Sequence, residues 1–236
     1  MAVRVNHSPT MPDIDQEKQL AAAYSLRFVE DGMAVGLGSG STASHFISSL
    51  GERVRSGLRI RAIATSEKSG DLAREVGIEL TDFSQIDRLD VTVDGADEID
   101  PRLNLIKGGG GALLHEKIVA SATDRLVIIA DSRKPVSTLG AFPLPVEIVP
   151  FGYEPAIRRI RELGPEVKLR TLSTGNPFLT AEKNYILDCS FGRIDDLQDL
   201  ADRLKRIAGV VEHGLFLQMA SLAVVARGNE IKVEHR

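Results

Sequence analysis

The residues of this chain best equipped for chemistry lie between Asp94 and Glu116: Asp94, Asp97, Glu98 and Asp100, then Lys107, then Glu116, gathered about the four consecutive glycines Gly108 to Gly111. Carboxylates and an ammonium set around a glycine run suit proton transfer on a small anionic metabolite, because bare backbone amides can approach a ligand closely. An ordered run of this kind sacrifices about 0.5–1 kcal/mol per glycine and so implies a geometric need. A flexible linker is the alternative, but linkers of that type bring serine and greater length. Asp94 and Asp97 follow the apolar stretch Leu89 to Val93. A solvated acidic turn explains any two of these carboxylates, yet not their place at the end of a strand, where ligands bind. Asp100, followed by Pro101, reads as a turn residue. Glu116 sits about one turn into the next helix and can face the same rim; alone beside Lys117 it would read as an ordinary exposed glutamate.

A second candidate is Gly36-Leu-Gly-Ser-Gly-Ser-Thr42, which places glycines and hydroxyls just ahead of a helix. Free N–H groups and the positive end of the helix dipole favour a phosphate there. The pattern is not a dinucleotide fingerprint, since Ser41 holds the third glycine position, and it lacks the Gly-Lys-Ser/Thr ending of a nucleotide P-loop. A tight turn of small residues is an equal alternative.

The elements that hold these loops follow an α/β alternation. Asp15 is expected to cap a first helix whose apolar positions are Leu20, Tyr24 and Phe28, after a tail over residues 1–13. Strand Met33 to Leu37, a helix through Leu50, strand Leu58 to Ala64, helix Glu67 to Val76, strand Leu89 to Val93, helix Ala112 to Ala122 and strand Leu126 to Ala130 come next. Strands of unbroken Val, Ile and Leu separated by helices predict a parallel sheet covered on both faces. Its ligand rim would gather the Gly36 loop, the Asp94 cluster and Asp131-Ser-Arg-Lys134. Beyond the prolines at 143, 145, 150 and 155, the order strand (Val146 to Val149), helix (Glu154 to Leu163), strand (Val167 to Thr171), strand (Tyr185 to Cys189), helix (Asp195 to Ile207), strand (Val210 to His213) predicts a ferredoxin-like unit. The last segments, Leu222 to Val225 and Glu230 to Val233, fit either sheet by pattern alone.

The chain of 236 residues carries 29 Lys plus Arg against 33 Asp plus Glu, so it lacks the dense positive field of a nucleic-acid binder. Its single cysteine, Cys189, lies in an apolar run and reads as a small buried residue. No leader pattern and no bilayer-length apolar stretch is seen, which predicts a soluble cytoplasmic protein without a membrane partner. The five histidines show no ligand spacing, so no metal is expected, and His115 beside Glu116 points elsewhere on the helix.

Taken together, Gly-Leu-Gly-Ser-Gly-Ser-Thr-Ala, Val-Asp-Gly-Ala-Asp-Glu-Ile, Lys-Gly-Gly-Gly-Gly-Ala-Leu, His-Glu-Lys and Phe-Pro-Leu-Pro-Val-Glu resemble the A-type ribose-5-phosphate isomerase family, in order and from about residue 17 to the end. The resemblance implies a Rossmann-like catalytic domain over 15–140 plus about 216–236, and a smaller ferredoxin-like domain over 141–215. It implies a homodimer or homotetramer acting on a phosphosugar, with no cofactor. Ser39, Gly40, Ser41, Thr42 and Lys134 match the positions that hold substrate and phosphate, with Lys18 as a further phosphate contact. Asp94, Gly95, Ala96, Asp97, Lys107, Gly108, Gly109 and Gly110 match the sugar pocket. Glu116 matches the proton acceptor, Lys107 and the glycine amides the enediolate-stabilising groups, and Asp94 or Asp97 the group that opens the sugar ring. The chain departs from the family at Leu179-Thr-Ala-Glu-Lys-Asn184 and at Gly175-Asn-Pro177, a change expected to affect the small unit's hairpin and subunit contacts rather than the active site. Two competing readings are a non-catalytic sugar-phosphate sensor and a CoA transferase of similar topology with Glu116 as nucleophile.

Overall fold

A computed structural model describes residues 13–236; apart from Asp13, the expected N-terminal tail lies outside the described residues. The chain runs through α1 (Ile14–Ser25), β1 (Ala34–Leu37), α2 (Ser41–Arg55), β2 (Arg61–Ala64), α3 (Glu67–Glu75) and β3 (Leu89–Asp94). Then come β4 (Glu98–Ile99), β5 (Leu105–Ile106), α4 (Leu113–Ser121), β6 (Thr123–Ala130), β7 (Leu144–Ile148), α5 (Tyr153–Arg161) and β8 (Glu166–Leu169). The rest is β9 (Tyr185–Ser190), α6 (Leu197–Lys205), β10 (Val210–His213), β11 (Leu215–Phe216), β12 (Leu222–Arg227) and β13 (Glu230–His235).

Six strands form the large sheet in the order β13-β12-β6-β3-β1-β2. All neighbours are parallel except the edge strand β13, which returns antiparallel to β12. The pairing that sequence left open is thereby decided: Leu222↔Val127 through Val225↔Ala130 place β12 beside β6. On one face Val35, Leu37, Val91, Val93, Val127 and Ile129 pack with Phe46, Ile47 and Leu50 of α2. The opposite face packs Leu126, Ile128 and Ala130 against Phe216 and Ala220. Removing a side chain of this size from water contributes about 1.5–3 kcal/mol, so this two-faced core is what makes the continuous apolar strands pay off.

Asp13, not Asp15, caps α1: its carboxylate accepts from the N–H groups of Asp15 and Gln16, both at 3.1 Å. Either aspartate satisfies the capping preference, and with Asp13 as cap the helix begins at Ile14. The face of α1 that is fully covered carries Glu17, Ala21, Ala22 and Ser25, while Leu20, Tyr24 and Phe28 are half-buried beside it.

The second sheet is antiparallel throughout, in the order β10-β7-β9-β8, as the ferredoxin-like pattern requires. Its core joins Val146, Ile148, Leu187 and Cys189 to Ile160 of α5 and Leu204 of α6. Cys189 is fully buried, and burial pushes its thiol well above the ordinary range, so it is the inert packing residue expected.

A third sheet, β11-β5-β4, has strands only two residues long, too short to leave a periodic trace in sequence. It nevertheless positions both ends of the acidic motif, because Asp97 precedes β4 and Lys107 follows β5. Asp97 N–H donates to the Ile106 carbonyl at 2.8 Å, and Lys107 N–H to that of Gly214 at 2.9 Å. Asp100 is the turn residue predicted: it accepts from the backbone of Arg102 and Asn104, each at 2.8 Å.

Gly36, mid-strand in β1, is required by closeness rather than by turning. A Cβ there would fall 1.9 Å from Thr92 Oγ1 on β3, whose hydroxyl also bonds Thr123 across the sheet at 2.6 Å. Gly36→Ala is expected to lower unfolding free energy by about 1–3 kcal/mol in a denaturant melt, and Thr92→Ala in the same chain to restore part of it.

Candidate active site

The centre of the site is the Lys107 ammonium, placed at the end of β5 and almost wholly buried. Its three donors are all engaged: the Gly95 carbonyl at 2.5 Å, Asp94 Oδ2 at 2.9 Å and Glu116 Oε1 at 3.3 Å. Burial by itself would lower the lysine's pKa, but the carboxylates of Asp94 and Glu116 outweigh it and hold the ammonium more firmly charged than usual. Glu116 responds the other way. Desolvation, helped by the charge of Asp94 and opposed by Lys107, raises its carboxyl to about 8. Its other oxygen, Oε2, is buried without a hydrogen-bond partner. A carboxyl so held exchanges its proton near neutral pH, as a general acid or base must.

The two aspartates take different places. Asp94, at the end of β3, is buried beneath the floor, where Oδ1 accepts from Ser39 N–H at 3.0 Å and Gly95 N–H at 2.7 Å. Gly38 makes this packing possible, since a Cβ there would lie 2.2 Å from that same oxygen. With Oδ2 paired to Lys107 at 2.9 Å, Asp94 faces the lysine and the Ser39 loop from below rather than the open cavity. Asp97 is half-exposed, lines the cavity and holds the glycine run by accepting from Gly109 N–H at 2.8 Å.

The opposite end of the cavity is built for an anion. Gly40 takes φ +90°, a conformation that L side chains rarely adopt, and hands the chain into α2 without any side-chain cap. The N–H groups of the first turn, with the Ser41 and Thr42 hydroxyls, are left for a ligand. Lys18 from α1 and Lys134 after β6 complete a rim of positive charge around a cavity of about 150 Å³.

Of the residues expected in the site, Ser39, Gly40, Ser41, Thr42, Gly95, Ala96, Asp97, Lys107, Gly108, Gly109, Gly110, Glu116, Lys134 and Lys18 line this one cavity. Asp94 does not line it but holds its floor. Three contributors escaped the sequence reading. Arg133 lines the cavity and is oriented by Asp131 at 2.9 Å; its place beside Lys134 after a strand was the available signal. Glu17 is fully buried and accepts from Ser132 N–H at 2.9 Å and Gly228 N–H at 2.7 Å, pinning the loop that carries Arg133 and Lys134. Its spacing from Ala21 placed it on the inner face of α1. Arg170 of the small sheet donates to the Gly108 and Gly109 carbonyls at 3.0 and 3.1 Å.

The segment with the altered hairpin packs beside the glycine run and α4: a Cβ on Gly111 would lie 2.5 Å from the Phe178 ring, and Glu182 pairs with His115 at 2.8 Å, neither Gly111 nor His115 lining the cavity. Among the described residues no three of His, Cys, Asp and Glu converge as metal ligands.

The raised Glu116 pKa has a stability consequence. The folded state favours the protonated carboxyl, so its contribution is full below the unfolded-state value of about 4.5 and is lost as pH rises through about 8. Glu116→Gln, which mimics the neutral form, is therefore expected to raise Tm above pH 8 relative to the unsubstituted chain. The difference should shrink toward zero near pH 4, and a thermal melt series across pH would check both limits.

Comparison with known proteins agrees with this geometry. The sequence profile of the family described as Ribose 5-phosphate isomerase A (phosphoriboisomerase A) matches residues 61–230. The ribose-5-phosphate isomerase A of Rhodopseudomonas palustris is 52% identical over 229 residues, spanning 94% of this chain and 98% of that protein. That of Parvibaculum lavamentivorans is 49% identical over 225 residues, spanning 92% and 97%. Among solved structures, a D-ribose-5-phosphate isomerase in complex with phospho-erythronic acid superposes with a TM-score of 0.92 at 37% identity, covering 95% of this chain and 100% of that one. The ribose 5-phosphate isomerase A of Methanocaldococcus jannaschii gives 0.90 at 36%, covering 94% and 99%. With four of its five motifs lining one cavity and relatives of this identity along nearly its whole length, the chain belongs to the ribose-5-phosphate isomerase A family.

Proposed function

We propose that the chain interconverts D-ribose 5-phosphate and D-ribulose 5-phosphate through an enediolate, with Glu116 carrying one proton between C2 and C1. The observation that supports this most is the buried Glu116 carboxyl, one oxygen toward Lys107 and the other unpartnered, in a cavity whose far end is an anion site. The substrate phosphate sits at the start of α2 with Lys18, Arg133 and Lys134, which points the carbonyl end of the sugar at Glu116. The carboxylate takes the C2 proton, the carbonyl oxygen becomes the enediolate oxygen, and the hydroxyl proton passes from the second oxygen to the first as the carbon proton returns to C1. A pKa near 8 suits a group that must both take and return a proton.

Lys107 and the amides of the glycine run stabilise the enediolate oxygen. All three lysine donors are occupied before reaction, one of them by Glu116. Once Glu116 is protonated its hold on the ammonium weakens, so a donor is released just as negative charge appears on the substrate. Asp97, exposed to the cavity, assists ring opening and hydroxyl proton transfer; Asp94, below the floor, holds Lys107 and the Ser39 loop instead.

The same reading makes this a cytoplasmic enzyme of the pentose phosphate pathway; no helix among the described residues is long and apolar enough to cross a membrane. Residues 15–140 with about 216–236 act as the catalytic domain and 141–215 as the small one. The unit acts as a homodimer or homotetramer, for which the exposed apolar side chains of Phe151, Leu172 and Leu179 supply surface that a second copy would cover. Neither the sensor nor the CoA transferase reading finds support among the relatives.

Glu116→Gln is expected to reduce kcat by about a hundredfold or more with the fold intact, and to abolish deuterium uptake from heavy water at C1 of recovered product. Near-normal exchange by that variant would overturn its role as base. Asp94→Asn removes a charge that raises the Glu116 pKa, so the acid limb of kcat/KM is expected to move to lower pH in a rate profile.

A further inference from the structure

Gly108 to Gly111 form a β-turn, closed by the Gly111 N–H donating to the Gly108 carbonyl at 2.9 Å. The central peptide of such a turn, here the Gly109 carbonyl with the Gly110 N–H, can occupy either of two orientations. They distinguish type I from type II turns, and the second requires positive φ at the third residue. Gly108 and Gly111 have positive φ and Gly110 does not, so the turn is in the type I form. Glycine at both central positions leaves the flipped form cheap. Nothing in the turn itself selects one orientation.

Arg170 supplies the selection. Its Nη1 donates to the Gly109 carbonyl at 3.1 Å and to the Gly108 carbonyl at 3.0 Å, while its Nε and Nη2 grip both oxygens of Asp188 on β9. A guanidinium braced bidentately by a carboxylate is a stiff donor. Because the peptide is planar and trans, fixing the Gly109 carbonyl on the Arg170 side turns the Gly110 N–H the opposite way. Gly110 lines the active-site cavity, and none of the acceptors among the described residues takes its N–H.

We propose that Arg170, braced by Asp188, is a positioning residue for the isomerisation: it locks the central peptide of the glycine turn so that the Gly110 N–H is held as a donor to the enediolate oxygen. The small domain thereby contributes to catalysis without touching the substrate. This deepens the reading of the site as an isomerase and rests on it.

The test compares Arg170→Met, Arg170→Lys and the double variant Arg170→Met/Asp188→Asn, which leaves no stranded carboxylate. Steady-state kinetics with ribose 5-phosphate would be measured beside inhibition by phospho-erythronic acid, whose carboxylate imitates the planar enediolate, and by inorganic phosphate. Loss of one oxyanion donor typically lowers kcat by about 10²–10³-fold, so a turn averaging over two orientations is expected to lose about tenfold or more. KM and phosphate inhibition should stay within about twofold, phospho-erythronic acid should bind more weakly in step with kcat, and Arg170→Lys should recover part of the loss. Unchanged kcat in the double variant would overturn the proposal. So would a loss in which phosphate inhibition and melting temperature fall together, since that is general disruption of the site. Deuterium uptake at C1 by the unsubstituted chain tests the isomerase reading separately, so the two can fail independently.

Discussion

One buried ammonium organises this molecule. Lys107 lies between Asp94 and Glu116, and with all three ionised the cluster would hold a net negative charge away from water. Such an arrangement is tolerable only if every donor is matched and the excess charge can be relieved by a proton. The structure meets the first condition with the Gly95 carbonyl and the second with Glu116, whose environment pushes it toward neutrality. In the proposed mechanism, what looks like an electrostatic difficulty is the source of the reactivity. A titratable carboxyl next to a permanent cation is a proton carrier with a built-in counter-charge.

The scaffold serves that cluster by bringing separate stretches of chain to one rim. The parallel sheet delivers the Ser39 loop and the Asp94 loop side by side, because β1 and β3 are neighbours and both end there. Ligand sites at the carboxyl ends of parallel strands are the general outcome of this topology. Lys107 comes from elsewhere, directly after a two-residue strand whose partners are Glu98–Ile99 and Leu215–Phe216. That small sheet joins the acidic motif to the segment returning from the ferredoxin-like unit. The aromatic ring of Phe216 then lies beneath both Lys107 and Lys117, 5.5 and 4.8 Å from their ammonium groups, and gives the helix carrying Glu116 a common support with the strand carrying Lys107.

Much of this was legible in the residues themselves. Apolar runs alternating with helical patterns point to both larger sheets, and in the parallel one burial on both faces writes itself into consecutive Val, Ile and Leu. The site was legible because its residues fall in short glycine-marked motifs at strand ends. What sequence could not display is contact at a distance. Asp94 and Asp97 look alike in sequence; only three dimensions reveal that one is held by Ser39, Gly95 and Lys107 while the other meets the cavity. Arg170 stands just after an unremarkable charged strand, 62 residues from Gly108 in the turn it grips, and its partner Asp188 is no more conspicuous. Two-residue strands carry no period to detect. The first helix shows a further limit, since its best-covered face is made of alanine, serine and a glutamate rather than of its larger apolar residues.

The Glu17 carboxylate ties Ser132, in the loop that presents Arg133 and Lys134, to Gly228, in the turn between β12 and β13. That turn closes a hairpin joining the large sheet only after the whole ferredoxin-like segment has been traversed. During synthesis, then, the Glu17 tie between the Ser132 loop and the β12–β13 turn can close only after the ferredoxin-like segment has been made. The loop that presents Arg133 and Lys134 is thus braced by residues far apart along the chain, and its final shape depends on the order in which those parts are made.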